Sequence, residues 1–229
     1  MDKRKTYYLV VDVESCPVDK DFVGVDPANM FVYDIGFAMV DRKGTVYASG
    51  SYIIKDVFFN EKELMQSAYY SNKIPQYIED IRNGSRVVKS FYEVRQIIAN
   101  LMTEYNCDKV LAYNARFDDI ALKTTQRWLT KSKYRYFLPY GTIVWDILKM
   151  TRDTLGKSTM YREFCEREGY VTAKGFPQLK AEVVHKYLSG NYDFVESHTG
   201  LEDVLIEKDI FAYCMRQHKA MRKELYARA

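Results

Sequence analysis

The sequence predicts an α/β fold on a mixed sheet: three antiparallel strands first, parallel strands after, and helices on the flanks. Three observations predict it. A β-rich run, Thr6 to Val13, is followed by two more, Met30 to Val40 and Thr45 to Ile54, around the hairpin turn Asp41-Arg42-Lys43-Gly44. From Glu61 onward the pattern changes to helical stretches that alternate with short β runs. An apolar share of 47% over 229 residues is enough for a sizeable core, and no repeat, low-complexity tract or linker divides the chain, so residues 1–229 read as a single domain.

The elements follow in order. Tyr7 to Val11 is apolar on both faces, as an interior strand is. Ser15 to Asn29 holds Pro17, Pro27 and scattered charge, and reads as a long loop. Helices are expected over Glu61 to Tyr70, Pro75 to Arg82 and Ser90 to Asn106. In the last of these Phe91, Val94, Ile97, Ile98, Leu101 and Met102 recur at helical spacing. Lys109 to Tyr113 is a short strand leading into a helix from Ala115 to Leu129. Thr142 to Trp145 is a fifth strand, with helices from Asp146, Thr159 and Pro177 onward. The final helix begins near Gly200 and runs to the C-terminus.

Composition narrows the function. Net charge is +3, from 34 basic and 31 acidic residues, so bulk charge does not announce a nucleic-acid binder and its distribution has to. Cys16, Cys107, Cys165 and Cys214 are far apart and suit buried thiols better than a zinc site or disulfides. The apolar run after Met1 to Lys5 is too short for a signal peptide, and no segment approaches the roughly 20 apolar residues of a membrane span. A soluble cytoplasmic protein with no membrane partner is expected.

Strand alternation puts Asp12 and Glu14 on one face, with Cα atoms roughly 6.6 Å apart. Two like charges side by side on an interior strand are costly without a cation, and hard oxygen ligands select Mg²⁺ or Mn²⁺ over zinc. Alone, an Asp-x-Glu is more often a solvated strand end. Asn114 can cap the next helix, with either Asp118 or Asp119 in its first turn. Thr199-Gly200-Leu201-Glu202 fits a capping box, which leaves His198 on the entering loop and Asp203 in the first turn. An interval of five inside a continuous helix would splay the two side chains about 140° apart; with His198 outside the helix both can face one site.

Asp12-Val13-Glu14, Asn114-Ala115-Arg116-Phe117-Asp118 and His198 with Asp203, in that order, resemble the DEDDh exonucleases. That ribonuclease H-like family includes proofreading subunits, ribonuclease T and oligoribonuclease. Its Asp-x-Glu, Asn-x-x-Phe-Asp and His-x-x-x-x-Asp motifs match these positions, which selects Asp118 over Asp119. The sister group has a Tyr where Thr199 stands, so the histidine branch is indicated. The chain departs from the family after Glu14, with Ser15-Cys16-Pro17 where Thr-Thr or Thr-Gly is usual, and shows no family pattern from Asp56 to Lys89.

The resemblance implies a two-metal phosphodiester hydrolase. Asp12, Glu14 and Asp203 would hold one divalent ion, Mg²⁺ or Mn²⁺, and Asp12 with Asp118 a second; His198 would be the general base. By analogy Ser15 and Cys16 meet the terminal nucleotide, with Asn114 and Phe117 beside them. The stretch Ile120 to Trp145 has no acid and carries Lys123, Arg127, Lys131, Lys133 and Arg135 among Trp128, Tyr134 and Tyr136, a combination suited to phosphates and stacked bases. A solvated helix face is the bland alternative. The leading reading is a 3′–5′ exonuclease on single-stranded DNA. The same chemistry on RNA is the runner-up, and a polymerase-associated proofreading or binding subunit a third. A homodimer or a polymerase partner is compatible with all of them. The chain ends 26 residues after Asp203, which favours independence.

Overall fold

The computed structural model describes residues 2, 4–132, 136–196 and 199–226. Strand β1 (Tyr7–Pro17) pairs antiparallel with β2 (Met30–Asp41), which pairs antiparallel with β3 (Val46–Ile54). The β2–β3 turn is held as its residues imply. Asp41 accepts hydrogen bonds from the amides of Lys43 (2.8 Å) and Thr45 (3.1 Å), and Gly44 takes a φ of +82°. On the other side of β1, β5 (Lys109–Ala112) and β6 (Ile143–Asp146) run parallel, as expected. A strand that the sequence did not suggest, β4 (Val87–Lys89), lies parallel to β3. At three residues it is too short for alternation to register. The sheet order is β4-β3-β2-β1-β5-β6.

Between β3 and β4 lie α1 (Lys55–Phe58), α2 (Lys62–Gln66) and α3 (Ile74–Arg82); α4 (Phe91–Glu104) leads to β5, and α5 (Arg116–Thr130) follows it. After β6 come α6 (Ile147–Thr154), α7 (Thr159–Arg167), α8 (Ala181–Ser189) and α9 (Gly200–Arg216). Alternation along β1 divides the interior into two cores. Leu9, Val11 and Val13 pack with Val94 and Ile98 of α4 and Ala121 and Leu122 of α5. Tyr8 and Val10 face the other way, among Met150, Phe164, Val184 and Phe211 of α6 to α9. Helix α4 opens on a complete capping box between Ser90 and Glu93 and buries the expected Phe91, Val94, Ile98 and Met102. Asp146 caps α6 by accepting from the amides of Leu148 and Lys149.

Several boundaries differ from expectation. β1 continues past Val13 because Ser15, Cys16 and Pro17 find partners in Val32, Phe31 and Met30 across an irregularity between Glu14 and Ser15. The loop expected from Ser15 therefore starts after Pro17. The helix expected over Glu61 to Tyr70 shortens to α2, and the one expected from Pro177 starts at Ala181. The last helix stops at Arg216, and the chain returns to cover the outer edge of β6. There Asp146 N–H donates to Lys223 O (2.7 Å) and Leu225 N–H to Val144 O (2.8 Å). Asp153 anchors this segment by accepting from the amide, Nε and Nη2 of Arg222 at 2.9, 2.9 and 3.0 Å. All four cysteines are buried as free thiols. Among the described residues no helix is long and apolar enough to cross a membrane.

Candidate metal centre

Asp12 and Glu14 stand on the face of β1 that α9 crosses. Opposite Asp12 in β2 is Gly36, which has no side chain, and opposite Glu14 is Asp34. Because position 36 is bare, the first turn of α9 comes down onto the sheet and brings Asp203 to the pair. One carboxylate oxygen from each of Asp12, Glu14 and Asp203 lies within 4.8 Å of the others. Asp118, in the first turn of α5, is buried as well, and its charge is the one that acts most strongly on Asp12.

Burial dominates the electrostatics. It holds Asp12 well above the usual carboxylate range, helped by the charges of Asp118, Asp34 and Glu196. Glu14 is pushed up to about 10 by burial, then by Asp12 and Asp203. Asp203 rises to about 9 through burial, then Asp12 and Glu196. Asp118 reaches about 7, raised by burial and moderated by backbone amides at Asp118 and Val13. Asp12 Oδ2 and Asp203 Oδ1 are buried and have no hydrogen-bond partner among the described residues. Carboxylates this costly to ionise, with unsatisfied oxygens converging, fit a divalent cation bound by hard oxygen donors.

The anticipated residues are placed unequally. His198, Lys133 and Arg135 lie outside the described residues. Thr199 is the N-cap residue of α9 as expected, but its hydroxyl donates to the Glu202 carboxylate. Asn114 does not cap α5: it takes a left-handed φ of 61°, its carbonyl accepts from Phe117 N–H at 2.9 Å, and the helix opens after Ala115 with no side-chain cap. It is exposed, whereas Phe117 packs at the edge of the core. The structure turns the Cys16 side chain away from the site. Beyond the β1 irregularity the alternation breaks, so Cys16 joins Val13 in the same core at 0% exposure and its thiol cannot reach a nucleotide. Ser15 remains half-buried beside Glu14. Lys131 is exposed at the far end of α5, about 20 Å along the helix from Asp118 at 1.5 Å per residue. Trp128, offered as a stacking ring, is half-buried, stacks on Phe31 with centroids 4.3 Å apart and packs against the core.

Other residues enter that the motifs did not suggest. Asp34 is fully buried behind Glu14 and accepts from Tyr77 Oη (2.9 Å), Ser51 Oγ (3.0 Å) and Gly200 N–H (3.4 Å), with Arg86 Nη1 at 3.4 Å. The half-buried Lys73, from the stretch without family pattern, is near enough for its charge to lower the pKa values of Glu14, Asp203 and Glu196. Glu207 lies one turn beyond Asp203 on α9, a spacing of four that a helical reading would have put on the same face.

No family model matches the chain, and no curated protein matches it in sequence. Solved structures do match. Exonuclease I in complex with the inhibitor BCBP superimposes with a TM-score of 0.52 at 15% identity, over 92% of this chain and 44% of that one. The chain shares the exonuclease I fold. E. coli exonuclease I in complex with a dA16 oligonucleotide gives a TM-score of 0.49 at 16% identity, over 90% of this chain and 40% of that one. Exonuclease X in complex with 5′ overhanging duplex DNA gives 0.42 at 12% identity, over 92% of each chain. This chain thus spans less than half the length of the exonuclease I structures it matches. The mixed sheet expected from the sequence, three antiparallel strands and then parallel ones, is present, and it carries Asp12 and Glu14 on its central β1.

Proposed function

We propose that this chain is a divalent-metal-dependent exonuclease that removes nucleotides from the 3′ end of single-stranded DNA and releases nucleoside 5′-monophosphates. The observation that carries the reading is the convergence of Asp12, Glu14 and Asp203 within 4.8 Å, with buried oxygens of Asp12 and Asp203 unsatisfied. The exonuclease I fold and the order of the motifs along the chain support it.

In this reading Asp12, Glu14 and Asp203 hold one divalent ion, and Asp12 with Asp118 a second. Bound there, such ions supply Lewis-acid polarisation of the scissile phosphate and neutralise charge on the attacking and leaving oxygens. His198 accepts the proton of the attacking water. The new bond is water oxygen to phosphorus; the bond that breaks is phosphorus to the 3′ oxygen, which takes a proton from solvent. Ser15 and Asn114 are the candidates for contacting the terminal nucleotide. Lys73 adds positive charge near the carboxylates, and Lys131 meets phosphates farther along the strand.

The test is incubation with Mg²⁺ or Mn²⁺ and matched 5′-labelled DNA and RNA single strands, with Asp12→Asn as control. The expected result is a ladder shortening from the 3′ end of DNA and absent in the variant. His198→Ala should lose most turnover yet keep metal binding. Faster loss of the RNA strand would reassign the substrate, and no shortening of either strand would overturn the reading.

A further inference from the structure

The chemistry above leaves Glu207, a deeply buried acid on the helix that carries Asp203, without a role. Glu207 is 3% exposed and lies on the face of α9 that carries Asp203. Leucine or isoleucine would suit that position, since its helix neighbours Ile206 and Ile210 are both core residues. Burying a carboxylate instead is costly unless its oxygens are satisfied or a cation is near.

Only half of that requirement is met by the protein. Glu207 Oε1 accepts the Tyr113 N–H at 3.1 Å, at the end of β5 where the chain turns toward Asp118. Glu207 Oε2 is buried and has no hydrogen-bond partner among the described residues. The charges acting most strongly on Glu207 are those of Asp12, then Asp118, then Asp203. The charges that act on it are those of other acids, the opposite of a structural ion pair. Asp34 shows the contrast: equally buried, it has Arg86 and three hydrogen-bond donors around it.

We propose that Glu207 is a fifth carboxylate of the metal centre. Its Oε1 fixes the turn that carries Asp118, and its Oε2 supplies charge and an oxygen donor to a divalent ion on the Asp12–Asp118 side. The inference rests on the divalent-metal reading. It goes beyond the DEDDh motif set, which has no member at this position. Glu207 acts on the ion and on the placement of Asp118, so it is a positioning residue as well as a ligand.

The test titrates Mn²⁺ alone, without nucleic acid, into wild type, Glu207→Gln and Asp12→Asn by calorimetry. Glutamine keeps the volume and an oxygen for the Tyr113 amide while removing the charge. Wild type should bind Mn²⁺, Asp12→Asn should lose most of that binding, and Glu207→Gln should bind at least tenfold more weakly. Thermal unfolding without metal should show Glu207→Gln at least as stable as wild type. Glu207→Met, of similar volume, guards against misfolding of the first variant and carries the same expectation for Mn²⁺. If the Glu207 variants fold and bind Mn²⁺ like wild type while Asp12→Asn does not, the fifth-carboxylate role is overturned and the metal centre stands. If wild type does not bind, or Asp12→Asn binds equally, the metal reading itself fails and takes this inference with it.

Discussion

The backbones of Gly36 on β2 and Gly200 at the start of α9 meet with no side chain between them. A Cβ on Gly36 would lie 2.0 Å from the Gly200 carbonyl carbon, and one on Gly200 would lie 2.5 Å from the Gly36 nitrogen. Gly36 is also the residue opposite Asp12, and Asp203 follows Gly200 by three residues. This contact therefore sets the distance between the strand carboxylates and the helix carboxylate.

Gly36→Ala and Gly200→Ala are each expected to destabilise severely, by about 3 kcal/mol or more, because backbone rather than a movable side chain fills the space. Gly156→Ala is the control. Its added Cβ would meet ordinary contacts, the nearest at 3.5 Å, so its unfolding midpoint in urea should shift by no more than about 0.5 kcal/mol equivalent.

Asp12→Asn should abolish cleavage without weakening the fold. It removes one of several like charges that burial already disfavours, so metal-free stability should equal or exceed that of wild type. Wild type should gain about 2.7 kcal/mol at a Mn²⁺ concentration a hundredfold above its Kd. The variant should show little of that gain, and thermal unfolding with and without Mn²⁺ reads both effects.

Arg86 stands against the fully buried Asp34 and also holds Asp80 at 3.0 Å. Arg86→Met would strip Asp34 of its cation while leaving the carboxylate in the interior. The expected loss is about 3 kcal/mol. Arg86→Met with Asp34→Asn should recover part of it, as a chemical-denaturation cycle of the two single variants and the double variant would reveal.

Asp153 anchors the returning C-terminal segment. Its hydrogen bonds from Arg222, and then Lys157, hold its carboxyl well below the usual carboxylate range. A depressed folded pKa means stabilisation that is present above the unfolded value near 3.9 and lost as pH falls through the folded one. Wild type should exceed Asp153→Asn by about 1 kcal/mol at neutral pH, a modest figure because Arg222 is largely exposed. The gap should close as the unfolding series is taken below pH 4.

Two of the site's spacings are legible in the sequence. Period two on a strand puts Asp12 and Glu14 together, and a helix start at Thr199 puts Asp203 in a first turn. Alternation misplaces Cys16 because the irregularity after Glu14 shifts it, and such a shift depends on the partner strand. Asn114 escapes a capping argument because the same side-chain chemistry also suits the left-handed conformation it adopts. Glu207 is legible as a helical neighbour of Asp203. Its burial is not, since a polar residue in an amphipathic helix is ordinarily on the solvent side.

By itself the sequence determined the three-strand meander, the parallel strands β5 and β6, and the chain order of Asp12, Glu14, Asp118 and Asp203. The strands rest on local periodicity and turn chemistry, which neighbouring residues encode among themselves, and the set of acids on the resemblance of its motifs to those of the DEDDh exonucleases. Tertiary structure alone decided that Gly36 and Gly200 touch, that Asp34 lies opposite Glu14, and that the charge of Lys73 reaches Glu14 and Asp203. It also decided that Glu207 shares the interior with Asp12 and Asp118. Each of these depends on which face of one element meets which face of another. That choice is made by burial summed over the whole core, and no short window of sequence contains it.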